Sequence, residues 1–342
     1  MLKVLSATLM AGVAAVALLA GYLAYPGNPS RSKYMKFEGF IELPREGMLT
    51  VLDYLTLSHQ TLFVASESSG TVFKIDLDPN SYASSPITIQ RGSGSAHGIV
   101  LAPDTNAGFV TRSEANVVDV FDPKTLAPLG SIPVADDPDG IQYIPSTRLL
   151  YVANGDPKMA TLIDPVQRAT VGTISLPGKP EFAAVDPASG WLYQNLTGTN
   201  TVAAIDIAKR AVTAQWPLAP CRRPTGMAID AKLRRLFSVC ADSANLVVFD
   251  LDAHRVVTSM KIGGGADSVA FDPALRRIYS AGRSGELTVI QQDGADSYRI
   301  LDRIHTHYGA HTLAVDPVSH KVFVAYAVLL AAPRIAVFAP AP

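Results

Sequence analysis

The chain has 342 residues, 48% of them hydrophobic, which suffices for a large core and permits roughly one to three domains. With 29 Lys and Arg against 30 Asp and Glu, the net charge of −1 creates no global field to recruit nucleic acid or an anionic surface. Only 17% of residues are charged, while 25 Gly and 24 Pro point to many turns and few long amphipathic helices.

The N-terminus stands apart. After Met-Leu-Lys, residues 4–25 form an uncharged run of 22 residues. A secretory hydrophobic region is usually about 7–15 residues, and a membrane-spanning helix needs about 20. Residues 1–30 are therefore expected to be a hydrophobic helix serving as a cleaved signal peptide or an uncleaved membrane anchor. No small-x-small cleavage site stands out, and no nearby Cys can accept a lipid. Arg31, Lys33 and Lys36 follow the run, so flanking charge does not settle its orientation. The expected location is periplasmic or otherwise extracytoplasmic, with membrane contact only through residues 4–25.

From residue 36 to 340 the sequence repeats. Units open at Asp53, His97, Asp139, Glu181, Thr225, Asp267 and His311, separated by 44, 42, 42, 44, 42 and 44 residues. Each opening segment (DGIQYI, TGMAID, HTLAVD) leads to a turn, often Asp-Pro. A second apolar segment follows (LLYVAN, RLFSVC, KVFVAY), then a third (ATLIDP, VAAIDI, LVVFDL) and a fourth (GTISL, TSMKI). Four short segments rich in Val, Ile, Phe and Tyr, repeating every 40–45 residues or so, mark a β-propeller blade. The predicted fold is all-β, a single seven-bladed β-propeller. The seventh unit runs out after three strands, at RIAVF. The orphan stretch KFEGFIEL, residues 36–43, is expected to supply its fourth strand and close the ring, leaving no long bare edge.

The segments LLYVANG, TLIDP, VGTISLPG, KPEFAAVDP and HTLAVDPVSHKVFV resemble the YVTN-repeat, YncE-like family of periplasmic β-propellers. The resemblance covers about 300 residues and implies the fold and the compartment. It implies no activity, because this repeat is a scaffold for ligand binders, surface proteins and enzyme domains alike. Where the resemblance leads one to expect arginine after Gly-Ala, this chain carries His311.

In a propeller the first strand of each blade is innermost, and the residue that opens it lies at one mouth of the central channel. Six of the seven openers here can ionise. Asp53, His97, Asp139, Glu181, Asp267 and His311, with Asn195 at the end of a second strand, form the candidate ligand-binding set. Around the ring Asp267, His311, Asp53 and His97 alternate carboxylate and imidazole, donors suited to a divalent metal such as Zn²⁺ or Fe²⁺. A solvated ring of purely structural acids is the alternative. The heptapeptide HTHYGAH places His305 and His307 on an outer strand and only His311 at the mouth. Asn195 can bind a hard cation beside Glu181 or serve its own turn.

Cys221 precedes the first strand of blade 5 and Cys240 ends its second. Adjacent antiparallel strands bring those ends together, so a disulfide is expected, with two free thiols as soft metal ligands the alternative. Arg148, Arg234, Arg235, Arg276, Arg277 and Lys321 make the opposite face somewhat basic. No P-loop, G-x-S-x-G or H-E-x-x-H motif is present. The expected function is that of an exported binding or scaffold protein, monomeric, recognising a small molecule or protein partner at the mouth. A lactonase or lyase assisted by a divalent metal at the same mouth is the second expectation.

Overall fold

Short runs of β-branched and aromatic residues, punctuated by turn residues, fold here into seven four-stranded antiparallel sheets. The computed structural model describes residues 27–92 and 94–341. The hydrophobic helix expected at residues 4–25 lies outside them. Among the described residues no helix is long and apolar enough to cross a membrane. Blades 1 to 6 occupy residues 52–91, 96–133, 138–175, 180–217, 224–261 and 266–305. Blade 7 combines Thr312–Val315, Val322–Tyr326 and Arg334–Pro340 with Met35–Glu42, which lies antiparallel along Arg334–Pro340. The chain is thus an all-β, seven-bladed propeller.

Each blade is built by the same local rules. In the turn between first and second strands, His59, Asn106, Arg148, Gly190, Arg234, Arg276 and His320 all take the left-handed conformation. In blades 4 to 7 that turn is begun by Asp186, Asp230, Asp272 and Asp316. Each carboxylate accepts the backbone N–H two residues on, at 3.0–3.1 Å. The arginines of these turns are largely paired: Arg234 with Asp186 and Asp252, Arg235 with Asp250 and Asp296, Arg148 with Asp104. Arg276 instead donates to Gln292 O, so only part of the positive charge of the opposite face is neutralised by ion pairs.

Among the described residues there are seven hydrophobic clusters, one at each seam between neighbouring blades. Consecutive residues serve opposite seams. Leu236 packs toward blade 4 and Phe237 toward blade 6. Both faces of a strand are buried, so the inner strands read as unbroken apolar runs rather than alternating ones. Polar side chains stitch the same seams. Thr56 Oγ1 donates to Ile99 O, Thr111 Oγ1 to Asp139 O, Thr225 Oγ1 to Ala266 O and Thr312 Oγ1 to Asp53 O, at 2.6–2.9 Å.

Cys221 and Cys240 are joined by a disulfide with Cα atoms 5.4 Å apart, buried in the seam between blades 4 and 5. It closes a loop of 19 residues. Chain entropy alone makes such a loop worth about 3 kcal/mol. Replacing both cysteines by serine should lower unfolding free energy by about that amount. Denaturant melts of the two proteins without reductant check this; coincident midpoints would contradict it.

Candidate binding site at the channel mouth

The inner strands do not run straight into the mouth. In six blades the pairing of first and second strands slips at the opening residue, between Leu52 and Leu55, Ala96 and Ile99, Pro138 and Ile141, and likewise in blades 4, 5 and 6. A bulge frees one residue from the ladder and re-aims its side chain. That device turns the openers out of the sheet.

Three of them meet. His97 Nδ1 lies 2.6 Å from Asp53 Oδ2 and 3.8 Å from Asp139 Oδ1. His97 Nε2 lies 3.0 Å from the Ser113 hydroxyl. Among the described residues, the donor atoms of Asp53, His97 and Asp139 form the one group of three within 4.8 Å of one another. Burial pulls the His97 imidazolium down, but the hydrogen bond and charge of Asp53, with the charges of Asp139 and Glu67, outweigh it and raise its pKa to about 9.

Asp267 and His311 form a separate pair. His311 Nδ1 is 2.6 Å from Gly309 O, so that nitrogen carries the proton and donates it. Its Nε2 is buried without a hydrogen-bond partner and faces Asp267 Oδ2 at 3.7 Å. The gap between these two atoms suits a cation or a shared hydrogen. Arg283 already reaches Asp267 at 3.2 Å. The expected quartet of Asp267, His311, Asp53 and His97 is therefore divided by the ring. Asp139 takes the third place beside Asp53 and His97, because the bulges bring blades 1, 2 and 3 together at their openers.

Asp139 and Glu181 differ from the other acids. Among the described residues no ion pair reaches Glu181, and His97, at 3.8 Å, is the one cationic partner of the Asp139 carboxylate. Burial, then the charge of Asp53, raises Asp139 to about 7 despite relief from His97. Burial and the charges of Asp139 and Asp267 raise Glu181 to about 8, against the pull of Arg223 and Lys179.

Tyr54 was not evident as a site residue. Its ring meets that of Phe182, from blade 4, at 5.3 Å between centroids. Burial, then Asp139, Asp267, Asp53 and Glu181 in turn, push its phenol well above the ordinary range. Those four carboxylates belong to four blades, and the phenol feels the charge of all of them. A signal existed. The residues following the openers are Tyr54, Gly98, Gly140, Phe182, Gly226, Ser268 and Thr312. Two bulky side chains interrupt a column of small ones. At Gly98 a Cβ would come within 2.8 Å of Asp139 O, so the neighbouring blade excludes a side chain there. Ser113 had no comparable signal.

Other candidates are spent on the scaffold. Asn195 is fully buried; its amide donates to Thr225 O at 2.7 Å and to Gly226 O, and its oxygen accepts from Ser238. It holds blade 4 to blade 5 and offers no donor to the mouth, contrary to the expectation from its position. The heptapeptide is likewise dispersed. His305 ends the outer strand of blade 6, with Nδ1 3.0 Å from Gly285 O. His307 has left the strand, against expectation, and stacks buried on Tyr326 at 5.9 Å.

With this geometry in hand, comparison with known proteins establishes the fold alone. A chain of Kuenenia stuttgartiensis hydrazine synthase superposes with a TM-score of 0.70 at 18% identity, over 82% of this chain and 95% of that one. No family model matches the sequence, and no curated protein does. The likeness is to a propeller, and at this identity it carries no chemistry across.

Proposed function

We propose that the chain is an exported β-propeller binding protein that takes a positively charged small ligand, a divalent metal ion or an organic ammonium, at the channel mouth. The observation that carries this reading is the pair Asp139 and Glu181. Both carboxyls are half-buried among other acids whose charges oppose their ionisation, a cost that a bound cation would remove. A concave mouth in which carboxylates predominate, with Arg283 and His97 offsetting part of their charge, also focuses field on an incoming cation. For a metal ion, Asp53, His97 and Asp139 are the proposed donors, with Glu181, Asp267 and His311 completing the wall. For an ammonium, Tyr54 adds an aromatic face.

Export is supported by the disulfide, which fits an oxidising compartment, and by the apolar run at residues 4–25. The likeness of the repeats to the YVTN type agrees with it. The pairing of Met35–Glu42 with Arg334–Pro340 is proposed as the clasp of the ring. The same reading has a monomer that binds no nucleic acid. The lactonase or lyase reading gains nothing from the geometry, since the cluster of His97, His311, Asp53 and Asp267 that it needs falls into two separate groups.

Dialysis of the purified protein against Zn²⁺, Ca²⁺ or spermidine at pH 8 tests the reading, with elemental and mass analysis of what is retained. At least one should be held, and the double variant Asp139→Asn/Glu181→Gln should weaken retention by about tenfold or more. Retention of none, or retention indifferent to the double variant, rejects a cation site at the mouth.

A further inference from the structure

The large apolar side chains left in solvent are not spread evenly. Met48, Leu49, Tyr308 and Leu330 are 72, 49, 59 and 48% exposed. All four lie on the mouth face, in connections that meet at blade 7: the loop from blade 6, the turn between that blade's second and third strands, and the loop into blade 1. Leu49–Thr50 pairs with Val328–Leu329, and Leu330 N donates to Met48 O. A Cβ on Gly309, beside Tyr308, would lie 3.2 Å from Ala327. The four side chains thus form one patch on one rim. On the opposite face Val166 and Val318 are 70 and 85% exposed, but on separate turns of blades 3 and 7.

The chain enters beside this patch. Ser30 N donates to His305 O and its hydroxyl accepts from His305 N, both at 2.8 Å. His305 is the last residue of an outer strand that ends at the mouth. From Ser30 the chain descends the outer edge of the ring to Tyr34, whose carbonyl accepts from Ala341 N at the far end. The residues before Ser30 therefore leave from the mouth side. Residues 26–29 join Ser30 to the uncharged run 4–25. Five Cα steps, from residue 25 to 30, reach at most about 17 Å.

We infer that the mouth face around blades 6, 7 and 1 docks on a lipid bilayer, with Met48, Leu49, Tyr308 and Leu330 resting in its interface. The run 4–25 has the length that a bilayer's hydrocarbon core requires, about 20 residues. Four side chains cannot cover a run of 22, so the run does not find its apolar surroundings on the patch; a bilayer accommodates both. The short tether excludes poses in which the rim stands far from the surface that holds the run. Tyr308 and Leu49 have the amphipathic and aliphatic character that partitions into the interface. In this pose the acidic mouth opens toward the lipid surface.

The full chain reconstituted in phosphatidylethanolamine–phosphatidylglycerol vesicles tests the pose. Leu49→Cys and Val318→Cys are labelled separately with a fluorophore, the native cysteines being disulfide-bonded and buried. Lipids carrying a nitroxide near the headgroup should quench the label at position 49 several-fold more than that at 318. Equal quenching, stronger quenching at 318, or a chain that does not remain with the vesicles overturns the inference. Adding Met48→Glu/Leu330→Glu should weaken the quenching at 49; no change would mean that the tether alone sets the pose and that the patch is no docking surface. Cross-linking between copies through Leu49→Cys, without quenching, would assign the patch to a second copy instead. Cation retention measured on the same vesicles reports on the mouth independently, so either reading can fail while the other stands.

Discussion

Deletion of residues 36–43 should leave a chain that melts far below the parent or aggregates before it melts. The strand they supply buries Ile41, and Leu43 follows it into the same cluster with blade 1. Phe37 packs on Phe338 at 5.7 Å and Phe40 on Tyr326 at 5.6 Å. Burying a large apolar side chain is worth about 1.5–3 kcal/mol. Losing two fully and two in part costs roughly 5 kcal/mol, comparable with the whole stability of many domains, about 5–15 kcal/mol. The deletion also bares the edge of Arg334–Pro340, a template for pairing with other chains. Circular dichroism melts with light scattering decide the matter. A deletion variant that melts like the parent and stays clear would show that the ring does not depend on this strand. Ile41→Ala is the milder control and should cost about 2–5 kcal/mol.

Raising the pH from 5 to 9 without added cation should lower the melting temperature, by roughly 5–10 °C. The sign follows from three groups at the mouth. Asp139 and Glu181 are raised to about 7 and about 8, so the fold favours their protonated forms. That stability is complete below the ordinary carboxylate range and is lost as pH rises through the folded values. His97, raised to about 9, favours its charged form; its contribution is complete below 6.5 and is lost toward pH 9. All three run the same way, so they add rather than cancel. Asp139→Asn/Glu181→Gln should flatten the slope and raise the melting temperature at pH 8. A bound cation should do the same in the parent, since it stabilises the ionised carboxylates. A melting temperature that rises or stays level between pH 5 and 9 would show that these acids are not held against their ionisation. Salt should weaken the effect in part, because the groups are half-buried and so partly open to screening.

The periodic part of the structure was legible in the sequence because it is made of local rules. The opener, the turn Asp and the left-handed residue recur at fixed offsets, and each can act within its own unit. The disulfide was legible for a similar reason, since Cys221 and Cys240 sit at the joined ends of two strands adjacent in the chain. The candidate site was legible only as a set of positions. Asp53 and Thr225 occupy the same place in their units, yet Asp53 meets His97 while the Thr225 hydroxyl is spent on Ala266 O. A repeat cannot tell a side chain that faces the channel from one that faces a seam, because the bulge at the opener lets either happen.

Sequence by itself thus determined the number of blades, their order and the end at which ionisable groups gather, because chain-local spacing dictates all three. Tertiary structure alone decided which of those groups meet. Closing the ring set Asp139 rather than His311 beside Asp53 and His97, turned Asn195 into a seam, and brought Tyr54 of blade 1 against Phe182 of blade 4. Those relations cross the channel or its seams, between residues far apart in the chain. They depend on curvature and side-chain volume summed over seven blades, which no single repeat records.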